Sequence, residues 1–393
     1  MRKLLKITKY IRLNSEIFKI LLVFLTWRFI LIISLVFAIS FIPLGFKDRF
    51  LGGGLMNYNL APEIFSWANF DGEHYLSIAI FGYKGLEQAF FPIFPILIAL
   101  LSGLTETDLF SQLLSKTLAA LFISNLSFFL SLIVLWKLIK IDYSQKISFL
   151  TIILIAVFPA SFYFGAVYNE SLFLLLSTLA FYNARKGNWF LASIFGAISS
   201  ATRIFGILLL PVFLIEAYQQ KTSFRKSFWI FLIPLGLGAY MLYQYFSVGD
   251  AFAFYNLQKI VGEQHMSGLT LLPQVYFRYF KMLLTVDINN PIYQTILLEF
   301  LVGVIFFILP IFGYFKKIRL SYVLYALVGF LLPTIQGSFS SVPRYVIVFF
   351  PSFIALALLL NSRPKILRIL FVLISTCFLF IETVLFLRGY WVA

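Results

Sequence analysis

The run KILLVFLTWRFILIISLVFAISFIPL, from Lys19 to Leu44, decides the fold. It exceeds the roughly 20 apolar residues that a helix needs to cross a bilayer. It is apolar on nearly every face, so the alternation of an outer-membrane barrel strand does not fit it. In lipid, backbone groups must pair within their own segment, and this makes the run a helix. Six bases lead into it: Arg2, Lys3, Lys6, Lys9, Arg12 and Lys19. It is too long for a signal peptide, and no small-residue cleavage site follows. The run therefore reads as an uncleaved first span with its N-terminus in the cytoplasm.

The rest of the chain repeats this pattern. Of 393 residues, 61% are hydrophobic and 12% charged, and 49 are Phe. The mean hydropathy of +0.94 excludes an ordinary soluble globule. The net charge of +15 does not point to nucleic acid, because the bases fall in short clusters between apolar runs. These clusters are Lys137/Lys140/Lys146, Arg185/Lys186, Lys221/Arg225/Lys226, Lys316/Lys317/Arg319 and Arg363/Lys365/Arg368. Placing all of them in the cytoplasm gives spans near 19–44, 109–136, 147–167, 170–184, 189–203, 204–217, 227–246, 292–315, 320–335, 344–360 and 369–388. The expected fold is an all-α integral membrane protein, a polytopic bundle of roughly eleven (10–13) transmembrane helices in one domain over residues 1–393. A first outer loop covers about 45–88 and a second about 247–291. The pieces Phe90–Leu104, with Pro92 and Pro95, and Pro273–Leu284, with Arg278 and Lys281, read as re-entrant or interfacial helices on the outer side. The single cysteine, Cys377, allows no disulfide within the chain and no cysteine-based metal site.

The first outer loop carries a polar cluster, Asn69-Phe70-Asp71-Gly72-Glu73-His74-Tyr75. Acids near lipid are costly and mark functional sites. On this topology Asp71, Glu73, His74, Glu170, Arg203, Asp250, Glu263, His265 and Arg344 all fall at or near the outer face. Blander readings exist for each. Asp71 could cap the short helix that starts there, and Glu170 could sit at a helix start for its dipole. Glu73 and His74 could be solvated, and Arg203 and Arg344 could snorkel to lipid phosphates. Arg28, inside the first span beside Trp27, implies a buried partner. Asp71, Glu73 and His74 offer metal-binding atoms, but their spacing matches no strong ligand pattern, so a divalent metal stays open and unsupported. No Walker loop or dinucleotide fingerprint occurs, and Gly52-Gly53-Gly54 is read as a flexible loop.

Several motifs resemble a known family. Phe70-Asp71-Gly72-Glu73-His74-Tyr75-Leu76-Ser77-Ile78-Ala79, followed by Gly82-Tyr83, is similar to the first-loop motif of the GPI mannosyltransferases that add the second mannose (the PIG-V type) and of their prokaryotic relatives. Ala89-Phe90-Phe91-Pro92-Ile93-Phe94-Pro95-Ile96-Leu97 resembles that family's second motif, and Tyr168-Asn169-Glu170-Ser171-Leu172-Phe173 a third. Ala201-Thr202-Arg203 with Gly206, Ser341-Val342-Pro343-Arg344-Tyr345 with Pro351, and the tail Gly389-Tyr390-Trp391-Val392-Ala393 resemble later ones. Phe70 stands where the family usually has Trp, and the loop around Lys259–His265 lacks an expected Trp.

The resemblance implies the GT-C superfamily of polytopic glycosyltransferases. It implies a sugar donor on a polyprenyl phosphate and an acidic base in the first outer loop, by position Asp71. Transfer with inversion needs one base for the acceptor hydroxyl and cations for the leaving phosphate. Arg203 and Arg344 would hold the phosphate. Glu73, His74, Tyr75, Glu170 and Tyr345 would bind sugar or orient Asp71, and Tyr75, Tyr83 and Phe91 would form stacking walls. The implied partners are membrane lipid, the polyprenyl-phosphate mannose donor and a glycan, glycolipid or protein acceptor, with room for a small membrane subunit and no nucleic acid. The implied location is a prokaryotic plasma membrane or the endoplasmic reticulum, with the active site facing outward or to the lumen. Two rivals remain: a lipid or sugar transporter or flippase, favoured mainly by Arg28, and a non-catalytic membrane assembly subunit.

Overall fold

In the computed structural model the chain is described over residues 2–45, 55–103, 108–261 and 270–392, so Gly52-Gly53-Gly54, Glu263 and His265 lie outside the described residues. The helices are α1 (Arg2–Phe41), α2 (Leu55–Leu60), α3 (Pro62–Phe65), α4 (Asp71–Phe81), α5 (Ile93–Ser102), α6 (Leu109–Ile139), α7 (Gln145–Ala156), α8 (Glu170–Arg185), α9 (Trp189–Ser200), α10 (Leu209–Gln219), α11 (Phe224–Ser227), α12 (Ile233–Val248), α13 (Ala253–Val261), α14 (Leu272–Thr285), α15 (Pro291–Phe315), α16 (Leu320–Thr334), α17 (Val342–Val346), α18 (Phe350–Asn361) and α19 (Lys365–Leu387). Short 3₁₀ turns join several of them, and there is no strand among the described residues.

Among the described residues, five segments are long and apolar enough to cross a membrane: Ser15–Phe41, Leu109–Ile139, Phe224–Val248, Ile292–Phe315 and Lys365–Leu387. They coincide with five of the expected spans. The other six expected spans fall on pieces of 11 to 16 residues, or on pieces interrupted by 3₁₀ turns. At 1.5 Å per residue a 12-residue helix rises about 18 Å, well short of the apolar core of a bilayer. The expected span 344–360 is broken in two, α17 and α18, by the stretch 347–349. Such interruptions are tolerated at membrane depth where protein, not lipid, surrounds them.

Two groups of helices build the body. On one side α6 packs on α8, α8 on α9, and α9 on α12; on the other, α15 packs on α16 and α18. Helix α7 touches both α6 and α18 and joins the groups, while α1 lies along α19. The core is aromatic: Phe181 meets the rings of Phe213, Tyr322, Tyr325 and Phe350 edge to face at 5.0–5.4 Å, the geometry that aromatic quadrupoles favour. Capping fixes where the long helices begin. Asp108 accepts the Ser111 N–H at 2.9 Å at the head of α6, and Asn290 accepts the Ile292 N–H at 3.1 Å ahead of Pro291 in α15.

Arg28 does have buried surroundings. Its guanidinium lies 4.8 Å from the Trp67 ring and donates to the Gly165 carbonyl at 3.4 Å, while Trp27 donates to Ser161 at 3.1 Å. The pair bolts α1 to the 3₁₀ turn at Ser161–Gly165.

Candidate active site

The polar cluster of the first loop folds as the start of α4. Phe70 holds φ +60° and ψ −121°, a conformation that L-residues rarely adopt and that costs about 1–3 kcal/mol. Its ring is seated between Phe386 and Trp391, at 6.0 and 5.7 Å. The neighbouring Asn69 is tied by its side chain to the Phe386 carbonyl at 2.8 Å, and its own carbonyl accepts the Tyr168 hydroxyl at 2.8 Å. Chain reversal at Phe70 turns the next residue, Asp71, inward. Asp71 is the first residue of α4 but makes no cap; its carboxylate accepts from the Arg344 guanidinium at 2.6 Å. The capping reading of Asp71 is therefore corrected.

Glu170, the first residue of α8, meets Arg203 at 2.5 Å and Arg344 at 3.7 Å. Arg203 follows α9, and its guanidinium also donates to the Asn169 Oδ1 at 3.1 Å. Asn169 in turn donates to the Thr202 carbonyl at 2.9 Å, which locks the two turns together. Gly206 makes this possible, because a Cβ there would lie 2.3 Å from the Ser200 backbone nitrogen. Arg344, on the short α17, is stacked among Tyr163, Tyr168 and Tyr345 at 5.1–5.7 Å from their rings and donates to the Tyr345 hydroxyl at 3.3 Å. Cation–π contact of this kind fixes a guanidinium in a dry site. The snorkelling reading is thus overturned for both arginines, which turn inward.

These side chains surround a cavity of about 230 Å³. Asp71, Tyr75, Glu170, Arg203, Arg344 and Tyr345 all line it. Its walls are completed by Phe90, Phe91, Asn169, Phe205, Phe254 and Tyr255 among others. Burial, reinforced by the charge of Glu170, holds the Tyr75 hydroxyl well above its ordinary range, so it stays a neutral donor. The second Glu170 oxygen and the Arg344 Nε are buried without a hydrogen-bond partner. Buried polar atoms are rarely left so, and both belong to residues that line the cavity.

Glu73 and His74 do not line the cavity. The helical period separates Glu73 from Asp71 by more than half a turn, whereas Tyr75 lies one turn on and shares its face. His74 stacks on Phe90 at 4.7 Å and so backs a wall residue. Asp250 accepts the Phe252 N–H and the Asn256 side chain, both at 2.8 Å, and is also outside the cavity lining. Phe205, Phe254, Tyr255 and Gln336 line the cavity without having been singled out in the sequence. Among the described residues no group of three or more His, Cys, Asp and Glu side chains is placed to hold a metal ion.

The sequence profile of the mannosyltransferase (PIG-V) family matches residues 6–266. The chain belongs to this family of glycosyltransferases. The matched segment contains Asp71, Glu170 and Arg203, and the fold brings Arg344 to them from outside it. Among solved structures, the chain is similar to the oligosaccharyltransferase of Archaeoglobus fulgidus tethered to an acceptor peptide containing the NVT sequon. The match has 11% identity and a TM-score of 0.43, and covers 93% of this chain and 55% of that one. It is likewise similar to the archaeal oligosaccharyltransferase AglB of Archaeoglobus fulgidus in complex with an inhibitory peptide and a dolichol-phosphate, with 10% identity, TM-score 0.42, and coverage of 93% and 56%. The chain spans about half the length of these structures. No curated protein matches it significantly.

Proposed function

We propose that the protein is an inverting mannosyltransferase of GT-C type, which moves mannose from a polyprenyl phosphate to an acceptor hydroxyl at the outer or lumenal membrane face. One observation carries this reading: two acids, Asp71 and Glu170, and two guanidiniums, Arg203 and Arg344, line one aromatic-walled cavity. In this scheme Asp71 is the base that takes the proton of the acceptor hydroxyl as the new glycosidic bond forms. The electrons of the broken sugar–phosphate bond go to the phosphate, whose growing charge Arg203 and Arg344 meet with directed N–H groups. Arg344 holds Asp71 at 2.6 Å. A phosphate competes for that guanidinium, so donor binding frees the carboxylate to act. Glu170, Tyr75 and Tyr345 would contact sugar hydroxyls, and Phe90, Phe91 and Phe205 would form its apolar walls. Glu73 and His74 would act on Asp71 only through α4. Asp71 and Glu170 are the two lining carboxylates that could hold a divalent cation.

The support for an eleven-span GT-C arrangement is the alternation of long and broken apolar helices with basic turns. On that arrangement residues 45–88 form the first outer, catalytic loop and 247–291 the second, and the N-terminus is cytoplasmic. The test is transfer of labelled mannose from polyprenyl phosphate mannose in membranes carrying the protein. Asp71→Asn is expected to lower turnover by at least about 100-fold, the low end of what a general base contributes. Near-normal turnover in that variant removes Asp71 as the base. Uptake of sugar or lipid into vesicles without transfer would instead favour the transporter reading.

A further inference from the structure

Glu299 sits inside α15, only 4% exposed, and both of its oxygens are used on the approach to α17. Oε1 accepts the backbone N–H of Ser341 at 2.9 Å, and Oε2 accepts the Tyr279 hydroxyl at 2.7 Å. Tyr279 lies 3.2 Å from the Ser338 hydroxyl, which accepts the Ser340 N–H at 2.9 Å. The adjacent residue of α14, Arg278, donates to the Gly337 carbonyl at 3.0 Å. Three residues of this loop, Gly337, Ser338 and Ser341, are thus tied to α14 and α15.

Ser341 holds φ +59°, in the left-handed region that disfavours a side chain. It is the residue from which α17 starts, and its carbonyl accepts the Tyr345 N–H at 3.0 Å. Three residues on, Arg344 reaches Asp71 and Glu170. Without an acceptor for its N–H, Ser341 has no reason to stay left-handed. Relaxation to negative φ would rotate the start of α17 and carry the long Arg344 side chain off the cavity. A buried carboxylate in an apolar helix is costly, and the packing here uses both its oxygens to hold this one turn.

We propose that Glu299, acting with Tyr279, is a positioning residue of the transfer site: it holds Ser341 in its left-handed turn and so aims Arg344 and Tyr345 into the cavity. The inference rests on the reading in which Arg344 receives the donor phosphate. Donor KM and kcat for mannose transfer are measured for wild type, Glu299→Ala, Glu299→Gln and Glu299→Ala/Ser341→Gly, each per folded molecule by gel filtration. Glu299→Ala raises the donor KM by about 10- to 100-fold, the scale of a misplaced binding group. Glu299→Gln, which keeps one acceptor oxygen, falls between it and wild type. Glycine at 341 takes positive φ without strain and restores part of the lost donor affinity. Should Glu299→Ala not fold, Glu299→Gln carries the same comparison. A lowered thermal midpoint with donor KM unchanged in Glu299→Gln overturns the positioning role, because a purely structural residue gives that result. Absence of transfer by the wild type overturns the underlying function, and this inference falls with it.

Discussion

Arg203 and Arg344 share one acid. Glu170 is 2% exposed and lies 2.5 Å from Arg203 and 3.7 Å from Arg344. Removing one partner of a desolvated pair leaves the other charge uncompensated, at a cost of about 3–5 kcal/mol. Glu170→Gln is therefore expected to lower the thermal midpoint of the detergent-solubilised protein as well as its transfer rate. A midpoint equal to wild type would show that the pair remains solvated. At this scale the sequence was legible where a charge sat against apolar surroundings: Asp71, Glu170, Arg203 and Arg344 stood out and converge. The aromatic walls did not stand out. Phe205, Phe254 and Tyr255 are three apolar-looking rings in a chain with 49 Phe and 21 Tyr, and only tertiary convergence distinguishes them. Glu73, His74 and Tyr75 were grouped together in the sequence, and of the three only Tyr75 lines the cavity.

At the scale of elements, the site is assembled from helix starts and turns: the first residues of α4 and α8, the turn after α9 and the short α17. Turns of this kind depend on close backbone approach. The missing side chain at Gly206 lets its 3₁₀ turn fold onto Ser199 and Ser200, with its N–H bonded to the Arg203 carbonyl at 2.9 Å. Gly206→Ala forces that backbone apart and is expected to cut kcat/KM by at least about tenfold. Normal kinetics in this variant would mean that the turn does not set the aim of Arg203. Helix breaks were the least legible elements. Hydropathy reports how apolar a segment is, and a broken helix inside the bundle is as apolar as a whole one. The interruption between α17 and α18 passed for that reason as a continuous span.

Across the whole molecule, α8 has Glu170 at one end and Arg185 at the other, about 22 Å apart at 1.5 Å per residue. At the far end Arg185 pairs with Asp142 and, at 3.2 Å, with the fully buried Glu216, which Arg319 also meets at 2.8 Å. Bases from two of the expected cytoplasmic clusters, Arg185 and Arg319, thus gather at the end of α8 remote from Asp71. That separation accords with the proposed topology, which predicts a labelling pattern. In a Cys377→Ser background, Cys introduced at Ser247 or Asn289 should react with a membrane-impermeant thiol reagent from outside, and Cys at Lys146 only after permeabilisation. The reverse pattern would invert the protein in the membrane.

Among the described residues the cavity brings together two acids and two guanidiniums and no further charged side chain, so these four groups come close to electroneutrality. On the proposed chemistry the sugar-bearing diester enters with a single negative charge. Once the sugar departs, the lipid monoester left behind carries nearly two. Asp71 has by then taken the acceptor's proton, so only when it gives that proton up to water do both carboxylates repel what the arginines had welcomed, and that loss helps to expel the spent carrier.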